Sequence, residues 1–284
     1  MTVHLYTLCW NDGPRLSFFF RHYDAIVDRY VIYDDGSDAA TLDRVRAHPR
    51  VEIRPFVRSD PTSFVQSEQD VSNQCWKESR GEADWVIVAD IDELLWHADL
   101  PAYLARCTRD GITAIPALGF QMIHHRFPRE GANLPACINQ GMPWSEMMKL
   151  AIFDPAAIDE INFAAGRHKA DPTGRVIYPS TDELLLLHYK YLGIWQTFRR
   201  HRALAKGLGP FDIVHRLGFQ YLWSFPEFRE AWRNFYRHSV DYRTFANGNT
   251  ATFPLSRWWR EAPPTDTDAW AEAGGVPAGV IPRQ

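Results

Sequence analysis

Three acids within four residues follow the run Trp85-Val86-Ile87-Val88-Ala89: Asp90, Asp92 and Glu93. The run has the length and β-branched content of a buried strand. In α/β sheets, ligands bind at the carboxyl ends of the strands. Two carboxylates there, one residue apart, can both reach one hard divalent cation. Such a cation is held by one or two carboxylates together with substrate phosphates. The chemistry on offer is therefore a metal–diphosphate site. A bare Asp-x-Asp is a weak signal, and acids after a strand are often helix caps or a solvated turn. Here a second apolar run, Leu94-Leu95-Trp96, follows at once. Unpaired charge wedged between buried segments is costly, and this ranks metal binding somewhat ahead of the cap.

The preceding elements must place this turn. Residues 3–9 read as a first strand, and Trp10-Asn11-Asp12-Gly13-Pro14 as a turn. Apolar positions at helical spacing follow over residues 15–23. Strands are expected at 30–33 and 51–56, with helices at 41–47 and 63–80, and Gly81 ends the last helix. This alternation predicts a parallel sheet. The acidic turn Asp34-Asp35 and the turn at Asp90 to Asp92 then share its carboxyl edge. One pocket can use the first for a nucleotide and the second for a metal. Neither a P-loop nor a G-x-G-x-x-G motif is present.

Tyr33-Asp34-Asp35-Gly36-Ser37-Asp38, taken with Asp84-Trp85-Val86-Ile87-Val88-Ala89-Asp90-Ile91-Asp92-Glu93, resembles the family 2 nucleotide-sugar glycosyltransferases, and more narrowly a family 92-like branch. Leu187-His188-Tyr189-Lys190-Tyr191 is similar to the His-Tyr that follows that branch's last core strand. The likeness covers roughly residues 3–195, and the two acidic motifs are specific only together. Relatives often carry Asn-Glu where Asn11-Asp12 stands. The resemblance implies a GT-A fold, an α/β domain with a Rossmann-like, mostly parallel central sheet. It implies metal-dependent transfer of a sugar from a nucleoside diphosphate sugar, with UDP the prior carrier, to an acceptor hydroxyl. Inversion and a role in surface polysaccharide synthesis follow from the same likeness. Asn11, Asp34 and Asp35 would then lie at the nucleotide. Asp92 would bind Mn2+ or Mg2+ directly, Asp90 would hold the ribose or the metal through water, and His188 would complete the metal shell. Lys77 and Arg80 of the third helix could face diphosphate, though a solvated face is the plainer reading. For the base that takes the acceptor proton, Asp171 and Glu146 are candidates, each also readable as a surface acid, and Glu93 reads as structural.

The rest of the chain is less explicit. Strands are expected at 112–117, 148–153 and 182–187, with a long active-site loop over 120–145 that carries His124 and His125. His124, His125 and His168 are weaker ligand candidates than His188, which ends an apolar run. Residues 195–206 form a basic amphipathic helix. Solvation is its default reading, with the diphosphate side or peripheral membrane contact as alternatives. Residues 211–242 read as an aromatic-rich helical region that covers the acceptor cleft or mediates dimerisation. The expected division is 1–195 for nucleotide-sugar binding and catalysis, 196–262 for a helical extension, and 263–284 for a flexible tail.

The 284 residues suffice for one large α/β domain, and 45% of them are hydrophobic. A net charge of −4 without basic runs argues against nucleic acid as the main partner. Four scattered cysteines, no signal-like N-terminus and no membrane-length apolar run point to the cytoplasm, with the inner membrane face as an alternative. Two other functions compete. A nucleotidyltransferase would need a Gly-rich basic loop after the first strand, which is lacking. A carbohydrate-binding or scaffold protein on a degenerate domain would not need the intact Asp90-Ile91-Asp92.

Overall fold

In the computed structural model, residues 1–260 are described. The chain runs β1 (Val3–Cys9), α1 (Gly13–Tyr23), β2 (Arg29–Asp34), α2 (Ala39–Arg46), β3 (Val51–Pro55), α3 (Phe64–Gln74), β4 (Trp85–Val88) and β5 (Glu93–Trp96). It continues through α4 (Leu100–Arg109), β6 (Ala114–Pro116), β7 (Leu118–His124), α5 (Leu134–Cys137), β8 (Gln140–Pro143), β9 (Leu150–Phe153) and β10 (Leu185–Leu192). The last elements are α6 (Ile194–Leu204), α7 (Pro210–Val214), α8 (Phe225–Arg237) and β11 (Val240–Asp241).

Two sheets result. The first has the order β3-β2-β1-β4-β9-β6, and the second β11-β8-β7-β10-β5. β1, β2, β3 and β4 are mutually parallel, and β9 and β6 add antiparallel strands beyond β4. This is the α/β architecture expected of a GT-A chain, with a helical, aromatic-rich C-terminal region. The second sheet is mostly antiparallel, its one parallel pairing being β7 with β10.

Strand periodicity builds the core of the first sheet. Leu5, Ile32, Trp85 and Ile87 enter one buried cluster, while Tyr6, Val31, Val86 and Val88 enter another with Trp76, Phe153 and Phe163. Successive side chains of a strand point to opposite faces, so a sheet covered on both sides reads as one apolar run. That explains Trp85 to Ala89. The parallel register sets the ends of β1, β2 and β4 on one edge, with Cys9 opposite Asp34 and Tyr6 opposite Val88.

Several elements differ from expectation. Residues 120–145 are not one long loop but contain β7, α5 and β8. β7 holds Gly119 and also Gln121, which falls within the expected loop. Gly119 is required because a Cβ there would come within 2.1 Å of the Met147 carbonyl carbon. The helix expected over 63–80 ends at Gln74, and a 3-10 turn, Cys75–Ser79, carries the chain on. β10 runs past the apolar residues, because Tyr189, Tyr191 and Leu192 are also buried. His188 therefore sits mid-strand.

The aromatic residues of the C-terminal region are largely core. On α8, Phe228, Ala231, Trp232 and Phe235 form one apolar stripe and pack with Ile123, Met142 and Tyr191 of the second sheet. The Glu227 carboxylate accepts a hydrogen bond from the Ser224 N–H and starts this helix. β11 adds a strand beside β8. The expected tail at 263–284 lies outside the described residues.

Candidate active site

The acidic turn after β4 divides its carboxylates. The Glu93 N–H donates to the Asp90 carbonyl, and Glu93 Oε2 accepts from the Asp90 N–H, which locks a tight turn. Glu93 opens β5 and is fully buried, at 2.6 Å from Lys149 Nζ and 2.9 Å from Arg167 Nη2. Burial alone would push its pKa up, but Lys149 and Arg167 hold it well below the usual carboxylate range. Arg167 also reaches Asp90 at 2.9 Å and Glu68 at 3.5 Å. Arg167 takes φ +57°, a left-handed conformation that costs a non-glycine residue about 1 kcal/mol or more. The surrounding carboxylates hold it there.

Asp92 faces the opposite way. Its carbonyl accepts from the Tyr189 N–H at 2.7 Å, which ties the turn to β10. Its carboxylate lies 3.4 Å from His188 Nε2. Burial would raise the Asp92 pKa, yet His188, Lys190 and Arg15 outweigh it and hold the carboxyl far below its ordinary range. Lys190 lies two residues beyond His188, where the β7–β10 register is irregular, and 2.6 Å from the Tyr221 hydroxyl. Arg15 is buried, and its Nε has no hydrogen-bond partner. A cavity of about 10 Å3, room for one water-sized species, lies beside Asp92, and Arg15, Ile91 and Tyr189 are among the residues that line it.

The orientation of His188 is set by Gln121, a buried residue of β7. Gln121 Nε2 donates to the carbonyls of Met122 and His188, so its Oε1 is the acceptor that faces His188 Nδ1 at 2.8 Å. The hydrogen-bond network thus assigns the ring proton to Nδ1. Nε2 then faces an Asp92 carboxylate oxygen, and a cation that replaced any proton on Nε2 would be shared by the two side chains. An outer amide or carbonyl on the far nitrogen is the usual support of a metal-binding histidine. The Asp92–His188 pair therefore fits a divalent cation that takes its other ligands from phosphate oxygens and water. Asp90 is turned to Arg167, and among the described residues no three His, Cys, Asp or Glu side chains converge as a ligand group.

The nucleotide side is built around the ends of β1 and β2. Asn11 takes φ +53°, its Oδ1 accepts from the Asp38 N–H, and its own N–H donates to Ser37 Oγ. Asn11 staples one loop to the other. The Asp34 carboxylate accepts from the N–H groups of Gly36 and Ser37, which shapes the turn. Asp35 lies 3.4 Å from Arg58 Nη2, and burial raises its pKa. Helix α6 closes this end. Arg200 spans both oxygens of Asp12 at 2.9 Å and stacks over Trp10.

The two base candidates separate. Glu146 is half-buried on the 3-10 turn Ser145–Met147, beneath which Gly119 passes, and lies 3.5 Å from His168 Nε2. His168 Nδ1 is held by the Glu146 carbonyl at 2.5 Å. Burial pushes Glu146 up, against the charges of Lys149 and Lys169. Asp171 is exposed and pairs through its backbone with Asn162. Among the weaker candidates, Lys77 turns to Glu160 and Arg80 to the carbonyls of Pro155 and Ile158. His124 bonds the Arg126 carbonyl, and His125 packs on Tyr236. A cavity of about 450 Å3 lies at the opposite, amino edge of the sheet beside Thr2, Asp84 and Trp85.

Gln121, Arg167 and Lys190 were missed as site residues. A polar residue flanked by alternating apolar ones, Phe120 and Met122, was the available signal for Gln121. Lys190 stood inside the quoted His-Tyr motif. Arg167, in a Gly-Arg-His-Lys loop, gave no signal of burial.

No family model matches the chain, and no curated protein matches it. Among solved structures it is similar to S. aureus TarS residues 1–349, at 12% identity and a TM-score of 0.36, over 90% of this chain and 76% of that one. The same fragment in complex with UDP-GlcNAc gives 12% identity and a TM-score of 0.37 over the same shares. A mycobacterial protein is similar at 17% identity and a TM-score of 0.30, over 42% of this chain and 41% of that one. At these scores the likeness is too slight to carry an assignment, and the residues of the site must carry it.

Proposed function

We propose that the chain is a glycosyltransferase that moves a sugar from a nucleoside diphosphate sugar, with UDP as the expected carrier, to an acceptor hydroxyl with inversion. One observation carries this reading: Asp92 and His188, the latter oriented by Gln121, face each other at the carboxyl edge that also bears the Asp34-Asp35 turn. Asp35 and the backbone of the turn would hold the base, and Asp90 the ribose. Asp92 and His188 would hold Mn2+ or Mg2+, which when bound supplies charge to neutralise the departing diphosphate. Lys190 and Arg15 add fixed positive charge beside Asp92, where it stabilises charge that develops only in the transition state. Glu146 is the favoured base. It is half-buried, its pKa is raised, and its turn is three residues from Lys149, which grips Glu93. Inner-face membrane localisation and a glycan acceptor belong to the same reading.

A screen of UDP-, GDP- and dTDP-sugars for hydrolysis with and without Mn2+ tests this. Metal-stimulated release of one nucleoside diphosphate is expected. Calorimetry that finds no binding of UDP, GDP or dTDP in either condition would remove the donor site and with it the proposal.

A further inference from the structure

The surface of α6 and α7 is unlike the rest of the molecule. Residues 194–223 hold five Lys or Arg against one acid, Asp212, in a chain whose net charge is −4. That acid is buried and spent: it accepts hydrogen bonds from Ser63 Oγ and from the N–H groups of Phe64 and Gly209. Arg200 is engaged by Asp12. Arg199, Arg202, Lys206 and Arg216 are exposed, and this stretch offers them no exposed carboxylate.

The same stretch presents apolar side chains to solvent. Ile213 is 50% exposed and Val214 77%, and Phe211 of the same short helix is exposed as well. These residues are not at a loose end. Gly209 presses on the start of α3 so closely that a Cβ would lie 1.9 Å from the Thr62 carbonyl oxygen, and Asp212 pins the helix from below. One turn of helix is thus fastened by its buried acid and displays two aliphatic residues on its outer side.

We infer that this surface docks on an anionic lipid bilayer, with Ile213 and Val214 entering the headgroup region and Arg199, Arg202, Lys206 and Arg216 facing the lipid phosphates. Basic residues combined with protruding apolar ones are what interfacial binding requires. Nucleic acid would satisfy the cations but give the aliphatic residues nothing to bury against. The inference is independent of the proposed chemistry, because none of these residues belongs to the candidate site.

Sedimentation of the full chain with phosphatidylcholine vesicles, with and without about one third phosphatidylglycerol, tests it. Binding to the anionic vesicles alone is expected, weakening as salt is raised. Ile213→Asp with Val214→Asp should lower the partition coefficient by about tenfold or more, and Arg199→Gln and Arg202→Gln by about fivefold each. Nucleotide binding in solution should not change in any of these variants. Equal binding to neutral and anionic vesicles, no binding to either, or unchanged binding by the double Asp variant would overturn the inference. So would a double variant whose only effect is to dissociate an oligomer of the free protein, since the surface would then be a contact between copies.

Discussion

Asp92 and Glu93 are adjacent acids at the end of one strand, yet they serve opposite ends. Glu93 is fully buried between Lys149 and Arg167, and all its charge is used within the protein. Asp92 lies beside the small cavity with His188, Lys190 and Arg15 near it, and they hold its carboxyl far below the ordinary range. The tight turn between β4 and β5 separates the two side chains, with Glu93 already in the strand and Asp92 still in the turn. The lower network sets Lys149 and Arg167 against Glu93, Asp90 and Glu68, and its cations are spent within the protein. The upper one sets the Asp92 carboxylate against His188, with Lys190 and Arg15 beside it, an arrangement suited to a cation and the phosphates it carries. The division between scaffold and site therefore runs between two consecutive residues.

The sharpest way to break this contrast is Glu93→Ala. Removal of one partner of a buried ion pair leaves Lys149 and Arg167 without compensation, which costs about 3–5 kcal/mol. Urea denaturation should show a lower midpoint at an unchanged slope. A loss below 1 kcal/mol would mean that Glu93 is not structural. Asp92→Ala should do the reverse. Its loss of stability should be smaller than that of Glu93→Ala, because Asp92 keeps some exposure to solvent, while metal-stimulated turnover falls by about 100- to 1,000-fold, the usual result of deleting one group that meets charge formed in the transition state. Wild-type turnover by purified Asp92→Ala would end the claim that Asp92 serves chemistry.

Gln121→Leu probes the contrast one layer out. It keeps the volume of β7 but removes the acceptor that fixes the His188 proton on Nδ1. Loss of such support typically weakens metal binding by about 10- to 100-fold. A Mn2+ titration read by nucleotide affinity should show this shift, and an unchanged titration would take His188 out of the metal shell. Met in place of Gln121 should behave as Leu does.

How far the sequence reveals this arrangement follows the same divide. Asp90 to Asp92 is legible because a doubly covered parallel strand has to be a continuous apolar run, and acids at its end stand out. His188 is legible because it interrupts Leu184 to Leu187. Gln121 and Arg167 are hidden because their burial depends on partners far away in the chain: Gln121 on His188, and Arg167 on Glu68, Asp90 and Glu93. Periodicity reports which face a residue takes, not which charge waits there. β5 escaped for another reason. Four residues directly after a tight turn carry too few repeats to separate a strand from a continued loop.

The smallest expected effect concerns acid. Glu93 has an ordinary pKa of 4.5 and a much lower one in the folded chain. A depressed folded value means that the stabilisation is fully present above 4.5 and is lost as pH falls below it. At pH 3.5, one unit below the ordinary value, the folded carboxylate is still charged while the unfolded one has taken up its proton. The loss relative to pH 7 is then about 1.4 kcal/mol. Glu93→Gln has no proton to gain, so its free energy of unfolding should fall by about that much less between pH 7 and pH 3.5. Asp92→Asn, for a group also depressed in the fold, should flatten the curve too, and by less, because the ordinary pKa of Asp92 is 3.8 and fewer unfolded carboxyls are protonated at pH 3.5. If Glu93→Gln left the acid limb as steep as in the wild type, Glu93 would not be held below its ordinary range and the buried half of the contrast would fail.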